Sequence, residues 1–312
     1  MSRMARRLVA LLLFVLLAGA GFALLRTGLY GLTIFVLMPM LPGGLASWAF
    51  RPASGANAAG LGALAAIAAL SAMLLTGAEG LLCLAMALPL TVPLAALGSW
   101  LVWKAERSTF TTRSAPLLLF LPLVSVAPFS VRWDARAPQP VFEVRSAIEI
   151  AASPEQVWKH VVSFSELPEP REWYFRSGVA YPMRARIEGM GPGATRYCEF
   201  STGPFVEPIE VWDEPRLLRF RVTENPAPLH EWSPYARVLP RHLHGYLVSK
   251  EGQFRLTRMA NNRTLLEGTT WYRHGLWPAE YWRWWSNAII HRIHMRVLTH
   301  IRTLAEAGAR AW

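Results

Sequence analysis

Phe142-Glu-Val-Arg-Ser-Ala-Ile-Glu-Ile-Ala-Ala-Ser-Pro-Glu-Gln-Val-Trp158 contains a sharp change of period. From Phe142 to Ile150 apolar and polar residues alternate, which predicts a strand with one buried face. Ser153-Pro154-Glu155-Gln156 then predicts a helix start. Ser153 can cap, Pro154 suits the first helical position because an N–H there has no partner anyway, and Gln156 can complete a capping box. Val157, Trp158, Val161 and Val162 supply the apolar side of that short helix.

Downstream, strand-like runs stand at Arg184 to Glu188, Thr195 to Phe200, Phe205 to Trp212 and Leu217 to Thr223. The connections Gly189-Met-Gly-Pro-Gly193, Gly203-Pro204 and Asp213-Glu-Pro215 are short, so the sheet is expected to be antiparallel. Two more strands, near 246–257 and 264–272, follow the proline-punctuated loop Asn225 to His244. A long helix begins near Pro278. Trp282, Ser286, Ile289, Ile290, Ile293, Val297, His300, Ile301 and Leu304 recur at helical spacing on one face. His291, Arg292, Arg296, Arg302 and Glu306 occupy the other.

Upstream the solvent changes. Of 312 residues 53% are hydrophobic and 17% charged, too apolar for one ordinary soluble domain. Residues 1–131 hold eight Lys or Arg and two acids, whereas residues 132–312 hold twenty-four and nineteen. Spans are expected at about 8–25, 28–50, 58–77, 80–103 and, less clearly because of Pro116, Pro122 and Pro128, 114–131. A cleaved signal peptide is the alternative for the first. Glu79, the lone acid between Pro52 and Trp103, is expected in a turn flanked by Gly77 and Gly80. Arg3, Arg6, Arg7, Arg51, Lys104, Arg107 and Arg113 fall on one side and Arg26 on the other, which places the N-terminus in the cytoplasm. Five spans then put the polar domain outside the cytoplasm, and four put it inside.

The order strand, short helix, antiparallel strands, long helix defines an α+β fold. At this point Ile148-Glu-Ile-Ala-Ala-Ser-Pro-Glu-Gln-Val-Trp158 resembles the opening of the START-related helix-grip superfamily, which includes polyketide cyclase/dehydrase-like proteins. Glu210-Val-Trp-Asp-Glu-Pro-Arg-Leu-Leu-Arg-Phe220 is similar to that family's mid-sheet hairpin. The resemblance covers residues 141–306. It implies a curved antiparallel sheet gripping the long C-terminal helix, preceded here by an all-α transmembrane bundle of about five helices, as in bacterial membrane proteins with such a domain. The expected organisation is 1–131 transmembrane, 132–140 linker, 141–306 helix-grip domain and 307–312 tail.

The resemblance also implies a cavity between sheet and helix that takes a hydrophobic small molecule or lipid, and the apolar spans upstream make the bilayer the other expected partner. Tyr197, Phe220, Trp232, Trp271, Trp282, Ser286, Ile289 and Ile293 are candidate lining residues. Tryptophan, fourteen in all, could equally pack the cavity shut. Acid–base candidates are Glu199, His230, His244, Glu267 and His300. Tyr197 and Glu199 share one strand face and Arg196, Cys198 and Phe200 the other, and pattern alone leaves open which is inside. His300 on the apolar stripe reads as a core histidine bonded to a carbonyl or acid, or as a catalytic group.

His291 and His294, three apart on a helix, lack an obvious acid to complete a metal site, so no metal is expected. No cofactor motif appears: phosphate loop, dinucleotide fingerprint, nucleophile elbow and zinc spacing are all missing. The net charge of +11 is interleaved with acids and gathers in no basic patch, which argues against nucleic acid. The loop 225–244 reads as a lid or membrane-contact loop, or as an ordered insertion. Trp271, Trp277, Tyr281, Trp282, Trp284 and Trp285 suit a lipid headgroup zone, or packing at the helix start. Three functions follow: a membrane-anchored binding module, a cyclase or dehydratase-type enzyme using cavity acids and histidines, or a structural module with a closed cavity.

Overall fold

A computed structural model describes residues 2–28, 30–107, 139–235, 240 and 243–310, with Ser125, Phe129 and Arg132. Two compact units result. The first comprises Met1–Pro138 with Glu231–His242 and Leu276–Pro278, and the second comprises Gln139–His230, Leu243–Gly275 and Ala279–Trp312.

The first unit is helical: α1 (Arg3–Thr27), α2 (Met38–Phe50, entered through a π-helical turn at Thr33–Leu37), α3 (Gly55–Leu75) and α4 (Leu81–Arg107). All four are long and apolar enough to cross a membrane, α2 when its π turn is included. About five such helices are expected from sequence and four are present among the described residues. The fifth run, 114–131, lies outside them apart from Ser125 and Phe129.

Glycine sets how closely these helices pack. A Cβ on Gly43 or Gly62 would stand 2.0 or 2.4 Å from the Ala95 carbonyl oxygen, and one on Gly98 would stand 2.2 Å from that of Met40. Small residues at helix crossings are what packing in lipid requires, because apolar side chains gain nothing there by leaving the solvent. Polar groups add direction: Ser99 Oγ donates to the Ala58 carbonyl at 2.6 Å. Arg6 pairs with Glu106 at 2.5 Å and lies over the Trp48 ring at 4.8 Å, tying the start of α1 to the end of α4.

Glu79 stands in the turn between α3 and α4, where it is only 4% exposed and accepts from the Tyr30 hydroxyl at 3.2 Å. The segment that begins at Glu231 belongs to this unit. The Glu231 carboxylate accepts from the backbone N–H groups of Leu82 and Cys83, each at 2.9 Å. Those donors lie in the first turn of α4, which has no intrahelical acceptors for them, and an anion there also meets the positive end of the helix dipole. The Trp232 carbonyl takes the Leu81 N–H at 2.9 Å, and the Tyr235 hydroxyl donates to the Leu75 carbonyl. Part of the long loop is therefore a helix cap.

In the second unit, β1 (Val141–Ile150) leads into α5 (Pro154–Val162), and the short α6 (Trp173–Arg176) follows. Then come β2 (Pro182–Glu188), β3 (Thr195–Phe200), β4 (Gly203–Asp213), β5 (Leu217–Arg221), β6 (Leu247–Met259), β7 (Arg263–His274) and α7 (Ala279–Arg310). The capping box forms as the sequence predicts, with Ser153 and Gln156 bonding reciprocally. The seven strands make one antiparallel sheet in the order β1-β7-β6-β5-β4-β3-β2.

Ile150, Leu218, Leu256 and Leu266 on the sheet, Val157 and Val161 on α5, and Val297, Leu298 and Ile301 on α7 form the core. Each fully buried aliphatic side chain contributes about 1.5–3 kcal/mol. The helix stripe buries Trp282, Ser286, Ile290, Val297 and Ile301. Ile289, Ile293, His300 and Leu304 are half-buried at its margins, and Leu298 and Ala305, outside the expected stripe, are buried too.

Candidate functional site

A cavity of about 130 Å³ lies between the inner sheet face and α7. Phe200, Phe205, Phe220 and Phe254 line it from the strands, and Ile289, Ile293 and Val297 from the helix. Space for the aromatic floor comes from a glycine: Gly252 pairs with Phe220, and a Cβ on it would stand 2.6 Å from that ring.

Register decides which polar groups reach this wall. Arg196 and Glu207 are cross-strand partners on β3 and β4, and both point inward. Arg196 is 1% exposed and Glu207 6%, and they form an ion pair. The guanidinium also donates through Nε to the Val162 carbonyl at 3.3 Å, and lies 5.5, 5.6 and 5.5 Å from the ring centres of Phe164, Phe220 and Phe254. A planar, weakly hydrated cation tolerates such a site because aromatic faces and one carboxylate replace its water. Burial pushes the Glu207 carboxyl above the usual carboxylate range, with Arg196 pulling the other way. Beside them the Cys198 thiol is pushed up to about 12 by burial, so it stays protonated and is no nucleophile.

A second polar group enters from α7. His294 lines the cavity next to Thr270, whose Oγ1 lies 2.8 Å from His294 Nε2. On its other edge His294 Nδ1 is 3.2 Å from Ser146 Oγ, and Ser146 Oγ is 2.7 Å from His291 Nδ1. Burial, then neighbouring His291, hold His294 down at about 4, so the ring is neutral near pH 7.

The acid–base candidates lie elsewhere. Glu199 is on the outer face of β3, bonded to Arg184 at 2.6 Å and Arg186 at 3.4 Å, and the Arg184 bond holds its carboxyl below the usual range. Glu267 is on the outer face of β7, 4.0 Å from Arg145. His230 and His244 are exposed. His300 Nε2 meets the Ser165 carbonyl at 3.2 Å and its ring stands edge-on to Phe164. None of the five lines the cavity.

Of the lining candidates, Phe220, Ile289 and Ile293 face the cavity, and the other five do not. Tyr197 is on the outer face under Arg186, 4.0 Å from its guanidinium carbon. Trp271 is also outside, donating to Glu143 at 3.1 Å. Trp232 follows Glu231 in the helical unit and is 57% exposed. Trp282 and Ser286 are buried on the first turns of α7, before the cavity begins. On β3, where the alternation left both faces open, the side lining the cavity carries Arg196, Cys198 and Phe200, and Tyr197 and Glu199 are on the other.

Sequence reasoning missed Arg196–Glu207 and the Thr270–His294–Ser146 chain. The signal in the sequence is that residues paired across a short hairpin share a face, which sets Arg196 opposite Glu207; it does not say which face is buried, since Arg184 and Glu199 pair in the same way on the outer face. Among the described residues no group of three or more His, Cys, Asp or Glu is placed to hold a metal.

An antiparallel sheet closed by a long C-terminal helix over a small cavity is a helix-grip domain. Residues 141–268 match the family model for polyketide cyclase/dehydrase and lipid transport, somewhat under half of the chain. Similar solved structures include norcoclaurine synthase from Thalictrum flavum, 12% identical over 56% of this chain and 99% of that one, with a TM-score of 0.36. A protein from Nitrosospira multiformis is 16% identical over 54% and 99%, TM-score 0.35. The Zhui aromatase/cyclase from Streptomyces sp. R1128 is 17% identical over 55% and 98%, TM-score 0.34. No curated protein matches the chain.

Proposed function

We propose that this is a membrane-anchored helix-grip domain that binds a compact hydrophobic molecule in the cavity under α7. The observation that carries the reading is the cavity wall: aromatic and aliphatic over most of its area, with Arg196–Glu207 and Thr270–His294 as fixed polar groups. Few, well-placed polar groups in an apolar hollow are what orient a ligand. Thr269, which also lines the cavity, carries a buried hydroxyl without a hydrogen-bond partner among the described residues.

Volume selects the ligand class. Pockets for drug-sized molecules run roughly 300–1,000 Å³, whereas about 130 Å³ is available here. An engineered cavity of about 150 Å³ takes benzene. The occupant is therefore of single-ring size, and a lipid chain would need a wider cavity. The test is a titration of the full chain in nanodiscs with toluene, phenol and palmitate, followed by the methyl NMR signals of Ile289 and Ile293. Saturable shifts with the two ring compounds, abolished by Ile293→Trp, are expected. Silence of both methyls toward both ring compounds refutes the reading.

The proposed organisation is a membrane region over 1–131, a linker over 132–140, the domain over 141–306 and a tail. For sidedness, Glu231 accepts from the Leu82–Cys83 helix start and Tyr235 donates to the Leu75 helix end, the end at which Arg26 stands. The Arg6, Arg51 and Arg107 end is the opposite one, and a basic end is cytoplasmic. On this reading segment 231–235 is extracytoplasmic, and the domain, continuous with it in the chain at His230, is on the same side of the membrane, the outcome expected with five crossings. An alkaline phosphatase fusion after Trp312 is expected to be active, and a green fluorescent protein fusion dark. The reverse pair of results overturns the assignment.

A further inference from the structure

The order of hydrogen bonds Thr270–His294–Ser146–His291 has a property that none of its members has alone. Ser146 is 4% exposed and sits between two imidazoles, with Oγ 2.7 Å from His291 Nδ1 and 3.2 Å from His294 Nδ1. A hydroxyl carries one proton, so Ser146 donates to one ring and accepts from the other. Suppose it donates to His291. Then His294 must carry its proton on Nδ1, which leaves Nε2 bare to accept from the Thr270 hydroxyl 2.8 Å away. Suppose instead that it donates to His294. Then His291 carries the Nδ1 proton, His294 carries its own on Nε2, and Thr270 accepts.

With both rings neutral, these are the two arrangements that satisfy every bond. They differ by a shift of one proton along the entire chain. One end is the cavity, lined by Thr270 and His294, and the other is His291, which is exposed. The helix supplies the spacing, since residues three apart on α7 share a face and both rings reach the same serine on β1.

We propose that Thr270, His294, Ser146 and His291 form a proton relay between the cavity and solvent, serving an occupant that presents an acidic hydroxyl to Thr270. In the first arrangement the occupant's O–H proton passes to Thr270 Oγ1, and the Thr270 proton passes to His294 Nε2. The His294 Nδ1 proton passes to Ser146, the Ser146 proton to His291 Nδ1, and the His291 Nε2 proton to water. One proton leaves the occupant as an oxyanion, one reaches water, and the chain ends in the second arrangement. No imidazolium need rest at His294, in keeping with the burial that holds that ring neutral.

The inference rests on the cavity reading only for what the relay serves, and the relay is measurable with nothing bound. The experiment is ¹⁵N-histidine NMR of the unliganded full chain in nanodiscs, with His291→Gln as the surface variant and Ser146→Ala as the interior one. Ser146→Ala is expected to shift the Nδ1 signals of His291 and His294 together. Each variant is expected to slow solvent exchange of the His294 ring proton by about a hundredfold, the lower end of the range for a positioned proton-transfer group. Should Ser146→Ala fail to fold, His291→Gln still decides, because that side chain is exposed. Exchange within twofold of the parent in His291→Gln, or unmoved Nδ1 signals in a folded Ser146→Ala, overturns the relay. Neither result bears on toluene or phenol binding, which stands or falls by its own titration.

Discussion

Arg196→Met leaves Glu207 inside the domain with no counter-charge. Methionine regains part of the packing against Phe164, Phe220 and Phe254, since sulfur–aromatic contacts of about 0.3–1.5 kcal/mol offset much of the lost cation–π attraction. The orphaned carboxylate then dominates. Removing one partner of a buried ion pair costs about 3–5 kcal/mol. Protonation limits the loss, because neutralising a carboxyl of ordinary pKa near 4.3 at pH 7 costs about 3.5 kcal/mol at 1.36 kcal/mol per unit. At pH 5 the same step costs about 1 kcal/mol.

The variant is therefore expected to be destabilised by about 3.5 kcal/mol at pH 7 and by far less at pH 5. The sign is that of a carboxyl whose folded pKa is raised: stability is kept below the unfolded pKa and lost as pH climbs toward the folded one. Cys198 provides the assay, being 5% exposed in the core. In a Cys83→Ser background, maleimide labelling of the full chain reports the open fraction. Arg196→Met is expected to label several hundred-fold faster than the parent at pH 7, and the ratio should shrink toward roughly fivefold at pH 5. Arg196→Met/Glu207→Met should recover most of the loss, since replacing both members of a buried pair by apolar groups is often neutral. A ratio below tenfold at pH 7, or a double variant no better than the single one, would refute the reasoning.

Four further outcomes are expected. His294, held at about 4, charges in the unfolded chain before it does in the folded one, so stability should fall as pH drops from 6.5 toward 4. His160 and His300, also lowered by burial, add to that window, and denaturation of His294→Gln across it should show a shallower fall than the parent. Glu231→Ala removes the acceptor of two N–H groups at the start of α4 and should cost about 1–2 kcal/mol, read as faster maleimide labelling of Cys83 in a Cys198→Ser background. Gly80→Ala should act in the same direction, because its Cβ would stand 2.2 Å from the Glu231 carboxylate. Ser153→Ala, which breaks the capping box of α5, should cost about 1 kcal/mol in Cys198 labelling.

What the chain's letters settled alone was local: the four long apolar helices, the strand periods, the capping box and the stripe on α7. Each follows from a repeat of 2 or 3.6 residues or from a cap within one turn, where neighbours in sequence are neighbours in space. Tertiary structure alone decided which strand face is inside. On β3 the alternation Arg196-Tyr197-Cys198-Glu199 gives both faces one charge, and only the folded sheet, where Arg196 pairs with Glu207 on β4, shows that the arginine is the buried one. The same holds for His291 and His294. Their spacing is visible in the sequence, but Ser146 and Thr270 reach them from 145 and 24 residues away, across a sheet whose register no local pattern encodes.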